Sequence, residues 1–244
     1  MDLKSKIILI SGPTASGKSK AALKIAKKLN GEIINADSMQ VYKELNILTA
    51  SPSKIDLNKI DHHLYGFRSV KKEFSSGEWL KLAKKNIKKI RDKNKIPVLV
   101  GGTGLYFKAL TDGLVKIPKI PISVRDKIRR IQNKLGQKKF YLKLLKNDPL
   151  VKNKIDPTDV QRSIRAYEVI SFTKKSVFDW YTKTKPSFKK DQFIKIYVDY
   201  PKDKLINKIS KRVDQMMKDG AIQEVKDFLK LNLKSDSNIF KVIG

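Results

Sequence analysis

At 244 residues the chain can bury about 70 to 75 per cent of the surface its unfolded form exposes, so one large core or two modest ones are expected. The absence of cysteine excludes disulfides, thiolate metal sites and cysteine nucleophiles, and it suits a reducing compartment. The 54 Lys plus Arg against 24 Asp plus Glu give a formal charge of +30 and point to a polyanionic partner, although a general lysine bias, with 46 Lys against eight Arg, would supply part of the excess.

The stretch from Met1 to Lys6 carries an acid and runs into a strand by Ile7, leaving no room for a leader, and no apolar run approaches the ~18 residues of a membrane span. A soluble, cytoplasmic chain without a membrane partner is expected. The apolar run Ile7 to Ile10 leads into Gly12-Pro13-Thr14-Ala15-Ser16-Gly17-Lys18-Ser19, which fills every fixed position of G-x-x-x-x-G-K-[ST]. A helical pattern follows, with Ala22, Ile25, Ala26 and Leu29 on one face. Glycines here let backbone N–H groups converge on an anion at the positive end of the helix dipole. Lys18 would add a point charge on a terminal phosphate, and the Ser19 hydroxyl would hold Mg²⁺. Such a loop serves kinases, hydrolases and group-transfer enzymes alike, so the residues around it must specify the chemistry.

Gly31 is expected to cap this helix, and Glu32 to Ala36 to form a strand that delivers Asp37 to the edge where the phosphate loop sits. Residues 38 to 68 are irregular. The adjacent His62 and His63 lack a third ligand nearby, and adjacent side chains share one ion poorly, so zinc is not expected. A helix from Gly77 to Lys93 places Leu80, Ala83, Ile87 and Ile90 in register. The buried strand Ile96 to Val100 then runs into Gly101-Gly102-Thr103-Gly104, a second glycine-rich turn at the ligand edge, with a helix starting near Leu105.

After Gly113 helical periodicity dominates to about Phe188, through Val124, Ile128, Ile131 and Leu135, then Phe140, Leu144 and Leu145. A further helix is expected with Asp156 as its N-cap and Pro157 in its first position, bringing Gln161, Arg162 and Arg165 onto one face. A strand from Phe193 to Asp199 and a helix from Lys202 to Lys218, with Leu205, Ile209, Val213 and Met216 inward, return the chain to the core before a last helix to about Leu231. The expected fold class is α/β. A phosphate-loop core of parallel strands spans 1–113 and 191–244, and an all-helical insertion with a basic face spans 114–190.

Several short stretches follow one another in consistent order: Asp37-Ser38-Met39-Gln40-Val41-Tyr42 after the GPTASGKS loop, Gly101-Gly102-Thr103-Gly104-Leu105-Tyr106, Asp159-Val160-Gln161-Arg162 through Arg165-Ala166-Tyr167-Glu168, and Arg212-Val213-Asp214-Gln215-Met216. Together they closely resemble the tRNA dimethylallyltransferases, also called tRNA isopentenyltransferases or IPP transferases. The resemblance implies dimethylallyl diphosphate as donor, Mg²⁺ as cofactor, and the anticodon stem-loop of tRNAs reading codons that begin with U as acceptor. The adenosine immediately 3′ of the anticodon, flipped from its stack, would take the isoprenoid chain on its exocyclic amine.

It also implies roles for particular residues. Asp37 would be the general base, and Thr103 would bond the bridging oxygen of the departing diphosphate. Lys18 and Arg212, with the backbone of residues 12 to 19, would stabilise charge on that leaving group. Contacts to tRNA are implied for Asp37, Ser38, Met39, Gln40, Thr103, Arg125, Gln161, Arg162, Ser163, Ile164 and Arg165. A monomer is expected, and family members usually continue for tens of residues past the position of Gly244. The alternatives are a phosphate-loop kinase of a small molecule or nucleotide, a relative acting on free adenylate, and a non-catalytic basic RNA-binding protein.

Overall fold

The computed structural model describes residues 3–233 and 238–241, so the expectations resting on Met1, Asp2, 234–237 and 242–244 lie outside the described residues. The chain divides into two compact units, one from Met1–Thr111 with Ser187–Gly244 and the other Asp112–Pro186. In the first unit a five-stranded sheet contains β1 (Ile7–Ser11), β2 (Gly31–Asn35), β3 (His62–His63), β4 (Ile96–Val100) and β5 (Phe193–Tyr197) in the order β3-β2-β4-β1-β5. All pairings are parallel, with Ile8 opposite both Val98 and Ile194 and Ile33 opposite Val98. The near-continuous apolar runs in β1 and β4 have this cause, because a parallel strand flanked by helices is buried on both faces.

Side chains alternate between the two faces. Ile7, Leu9, Ile34 and Leu99 pack on α3 (Ser76–Asp92) and α4 (Gly104–Thr111), through Ala83, Ile87, Ile90 and Leu110. Ile8, Ile10, Ile33 and Val98 pack instead on Ala22 and Ala26 of α1 (Lys18–Lys28), and a short helix, α2 (Lys54–Lys59), capped by Ser53, precedes β3. A capping box between Ser75 and Glu78 starts α3, and its Trp79 stacks on Tyr106 of α4 at 4.2 Å between ring centroids. The indole Nε1–H of Trp79 donates to the carbonyl of Asn35 at 2.8 Å, tying α3 to the end of β2.

Three expectations are corrected. Gly31 opens β2 rather than capping α1; the left-handed residue is Asn30 at φ 49°, and a Cβ on Gly31 would stand 2.6 Å from the Ile96 carbonyl oxygen. In the second unit, α5 (Ile122–Asn147) is broken at Gly136, and α6 (Val160–Thr173) is capped by Asp159, whose carboxylate accepts from the Arg162 N–H. Asp156 instead closes the preceding turn by accepting from Thr158 N–H and hydroxyl, which leaves Pro157 outside the helix. Returning to the first unit, α8 (Lys202–Lys218) buries Met216, but Ile209 is 36 % and Val213 42 % exposed, so the apolar stripe does not lie inward among the described residues.

The second unit has its own core. Ile128, Phe140 and Leu144 of α5 meet Ala166, Tyr167 and Val169 of α6 and Val177 of α7 (Val177–Tyr181). In the first unit α9 (Ala221–Leu229) puts Phe228 against Leu45 and Val70. No helix among the described residues is long and apolar enough to cross a membrane.

The side chain of Glu32 is buried at the opposite end of β2 from Asp37. Its Oε1 accepts from Lys95 Nζ at 2.8 Å and Lys93 Nζ at 3.0 Å, and its Oε2 lies 2.7 Å from His63 Nε2. Burial pushes the Glu32 pKa up, but hydrogen bonds from Lys95, Lys93 and His63 outweigh it and hold the carboxyl at about 2. A depressed folded pKa stabilises above the unfolded value of 4.5 and is lost as pH falls toward 2. Glu32→Gln is therefore expected to be less stable than the unsubstituted chain at neutral pH, by up to about 3 kcal/mol. Chemical denaturation across pH 7 to 2 checks this, since the gap must close below pH 4.5.

Candidate active site

The phosphate-loop residues lie between the end of β1 and the start of α1. Ala15 and Gly17 take left-handed φ values of 61° and 93°, the alternation that turns successive N–H groups toward a common concavity. Gly12 has no room for a side chain: its Cβ would stand 2.6 Å from the Val198 carbonyl oxygen and 2.9 Å from Ser16 Oγ. Ser16 Oγ is itself buried with no hydrogen-bond partner among the described residues. Lys18 Nζ donates to the Pro13 carbonyl at 3.1 Å, and Ser19 stands exposed in the first turn of α1.

Asp37 follows β2 directly. The Asn35 side chain brackets it, with Oδ1 accepting from Asp37 N–H at 2.8 Å and Nδ2 donating to the carbonyls of Asp37 at 2.9 Å and Leu64 at 3.0 Å. One carboxylate oxygen, Oδ1, accepts from Met39 N–H at 3.0 Å. The glycine-rich turn after β4 crosses this point closely. A Cβ on Gly101 would lie 2.1 Å from the carbonyl carbon and oxygen of Ala36, and one on Gly102 would lie 3.4 Å from Asp37 Oδ2. Thr103 closes the arrangement, its Oγ1 accepting from Ser38 N–H at 2.9 Å and donating to Ser38 Oγ at 3.2 Å.

The charges converge at the same edge. Burial is the largest influence on Lys18 and lowers its pKa; Asp37 opposes this and Arg212 adds to it. Arg212, on α8, is likewise lowered by burial and raised by Asp37. Two half-buried cations therefore feel one carboxylate close to a nest of N–H groups, a local balance suited to an arriving polyanion. Tyr65 also feels this carboxylate: burial first and the Asp37 charge second push its phenol pKa up. No sequence pattern marks Tyr65; the irregular segment before it gives no period to follow. A cleft of about 460 Å³ opens between Gly12 and Pro13 on one side and Gly102 and Gly104 on the other, with Leu9, Phe107, Lys108 and Lys195 among its lining.

The structure sorts the remaining residues. Met39 packs with Leu45, Val70 and Phe228, and Gln40 Nε2 donates to the Thr49 and Ala50 carbonyls at 2.8 and 3.0 Å, so both side chains hold the 37–50 segment together. In the helical unit Gln161 and Arg162 are exposed and Arg165 partly so. Arg162 Nη1 donates to Asp159 Oδ2 at 2.9 Å and Arg165 Nη1 to Glu168 Oε2 at 3.2 Å. Ser163 is 0 % exposed, and its Oγ accepts from Gln137 Nε2 at 3.2 Å, because the helical period turns it inward. Ile164 likewise packs on the core of that unit. Arg125 is half-buried, its Nε without a hydrogen-bond partner among the described residues. His62 and His63 belong to no group of three or more metal-ligating side chains among the described residues.

The parallel sheet, the loop between β1 and α1 and the charged edge define a protein of the phosphate-loop class, with an α/β fold like that of the P-loop nucleotide hydrolases. The family model described as IPP transferase matches residues 40–244, and the chain belongs to that family. It is 59% identical over 244 residues to the tRNA dimethylallyltransferase of Pelagibacter ubique (strain HTCC1062), covering 100% of this chain and 78% of that protein. It is 44% identical over 239 residues to the tRNA dimethylallyltransferase of Rickettsia massiliae (strain Mtu5), covering 98% of this chain and 66% of that one. Among solved structures, a eukaryotic dimethylallyltransferase acting on tRNA superposes with a TM-score of 0.79 at 30% identity, over 93% of this chain and 56% of that one. The full-length tRNA isopentenylpyrophosphate transferase of Bacillus halodurans gives 0.64 at 32% identity, over 98% and 75%.

The family model begins at residue 40, whereas the whole-chain likeness to Pelagibacter also takes in the phosphate loop and Asp37. Two glycines of the second turn make a sharp contrast. Gly101→Ala drives a methyl into the Ala36 backbone and is expected to cost about 2 kcal/mol or more, whereas Gly104→Ala meets nothing within 4 Å and is expected to stay within about 1 kcal/mol of the parent. Thermal unfolding of the two variants checks the difference, and equal melting temperatures would contradict it.

Proposed function

We propose that this chain transfers the dimethylallyl group from dimethylallyl diphosphate to the exocyclic amine of the adenosine 3′ of the anticodon in tRNA, releasing diphosphate. The observation that carries this is the Asp37 carboxylate held at the strand edge by Met39 N–H and beside the Gly102 turn, where its charge acts on Lys18 of the phosphate loop and on Arg212. In the reaction the amine nitrogen forms a bond to the allylic C1 while the C1–O bond breaks, and the electron pair of that bond leaves with the diphosphate. The amine proton passes to Asp37. An exocyclic adenine amine is a poor nucleophile because its lone pair is delocalised, so a positioned carboxylate acts as the bond forms. Asp37 Oδ2 is the oxygen suited to this task, since Oδ1 already accepts from Met39 N–H.

The departing diphosphate gathers negative charge, which Lys18, Arg212 and the loop N–H groups would stabilise. Thr103 would orient the bridging oxygen through the hydroxyl that now bonds Ser38. The donor set fits Mg²⁺: Ser19 offers an exposed hydroxyl in the first turn of α1, and a diphosphate would supply the other oxygens that this ion prefers. Bound there, the ion would neutralise charge on the diphosphate. On the RNA side, Gln161, Arg162, Arg165 and Arg125 would meet backbone phosphates and loop bases. The Arg162 pair with Asp159 is exposed, so it is cheaply exchanged for a phosphate.

Asp37→Ala is expected to lower prenyl transfer by about 100-fold or more while leaving tRNA binding in place. Incubation with labelled dimethylallyl diphosphate, Mg²⁺ and an anticodon stem-loop bearing the target adenosine reads this directly. Full transfer by the variant would remove Asp37 from its role, and calorimetric preference for ATP over dimethylallyl diphosphate would favour a kinase instead. Arg162→Ala is expected to weaken tRNA binding and to lower the slope of log K against log salt by about one. A binding titration at several salt concentrations checks it.

A further inference from the structure

The segment between Asp37 and Ala50 carries the proposed base and contains no helix or strand of its own, so something outside it must hold it in place. The carboxylate of Glu224, in the first turn of α9, accepts from three successive backbone N–H groups of that segment. Oε2 takes those of Asn46 at 2.7 Å and Ile47 at 2.9 Å, and Oε1 takes that of Leu48 at 2.9 Å. Consecutive N–H groups converging on one anion make a nest, and bonds to an ionised acceptor are about twice as strong as neutral ones. The next two carbonyls, of Thr49 and Ala50, accept from Gln40 Nε2. Gln40 lies three residues after Asp37, within a turn whose Met39 N–H is bonded to the Asp37 carboxylate.

We propose that Glu224 is a positioning residue for Asp37, acting through the 46–48 nest and the Gln40 amide to keep the base facing Lys18 and Arg212. The proposal rests on the transfer reaction above. The same two-helix segment supplies both sides of the arrangement: α8 carries Arg212, and α9, after the left-handed Gly220 at φ 98°, carries Glu224. Phe228, one turn of α9 beyond Glu224, packs in one cluster with Leu45 and anchors the segment by an apolar, non-directional contact. The carboxylate adds direction. A glutamine at this position has one acceptor oxygen for three donors and presents an NH₂ group to the others, so it cannot replace the glutamate.

Glu224→Gln and Glu224→Ala, made in the full chain, are to be compared with the parent for kcat, for KM of dimethylallyl diphosphate, for melting temperature and for amide exchange. Both are expected to lower kcat about tenfold or more, to change that KM less than twofold because the phosphate loop is untouched, and to shift the melting temperature by only a few degrees. Exchange at Asn46, Ile47 and Leu48 is expected to speed up, and with it exchange at Met39 and Gln40. Combined with Gln40→Ala, the loss is expected to be no greater than that of the more damaging single substitution, as for two links of one path. Unchanged kcat in both variants overturns the proposal, as does a fall in kcat accompanied by a rise in KM of severalfold and a large drop in melting temperature, which would mark general loosening. If the parent chain transfers no isoprenoid, the reaction itself is refuted; faster exchange spreading from 46–48 to Met39 and Gln40 would still establish the coupling, and exchange confined to 46–48 would refute it.

Discussion

Two strand ends meet where a side chain larger than hydrogen has no room. At Gly101 a methyl would lie 2.1 Å from the Ala36 backbone, so the turn after β4 crosses the turn after β2 at the closest approach a chain allows. That crossing brings Thr103 to Ser38 and Gly102 to the Asp37 carboxylate. It is braced from beneath by Trp79, which donates to the Asn35 carbonyl while stacking on Tyr106. A parallel sheet collects its C-terminal strand ends along one edge, and the glycines compress three such ends into one site.

Electrostatics at this edge depends on the compression. Lys18 and Arg212 are both half-buried, and burial lowers the pKa of each; the Asp37 carboxylate opposes that effect at both without overcoming it. An incoming diphosphate would add negative charge beside the same two cations, and loss of a proton from an amine to Asp37 would leave them facing the leaving group alone. The chain's +30 charge acts differently, as a long-range and salt-sensitive attraction for a polyanion. Its lysines are many and mostly solvated, and they select no single atom for chemistry.

The segment carrying Asp37 is held from both ends. Asn35 brackets the start, and the Glu224 carboxylate and Phe228 of α9 hold the 45–48 stretch, with Gln40 joining the two. An irregular segment can therefore keep a defined shape without a ladder of its own, because β2 and α9 hold its two ends and other polar groups along it bond within the segment or to the 66–68 stretch. The distribution of bonds also explains why Met39 and Gln40, grouped with Asp37 by their place in the chain, do different work from it.

Much was legible from residue order alone. The phosphate loop, the second glycine-rich turn, the buried strands β1 and β4 and the span of α8 follow from local rules: apolar runs bounded by glycine, helical period, and residue types that tolerate left-handed backbone. Lys18 and the position of Asp37 stand out by motif and topology, whereas Thr103 and Arg212 are singled out by the family resemblance that their short, distinctive stretches carry. What residue order could not settle was anything decided by a partner far along the chain. The cap of α6 shifted from Asp156 to Asp159 because a nearer turn took the first carboxylate. Ser163 turned inward to Gln137, and Glu224, an unremarked helix acid, became the partner of three amides some 176 to 178 residues away. Local sequence determined which backbone conformations and chemical groups were available; only tertiary structure decided which of them meet, because hydrogen bonds and charges act through distance in space and carry no record of separation along the chain.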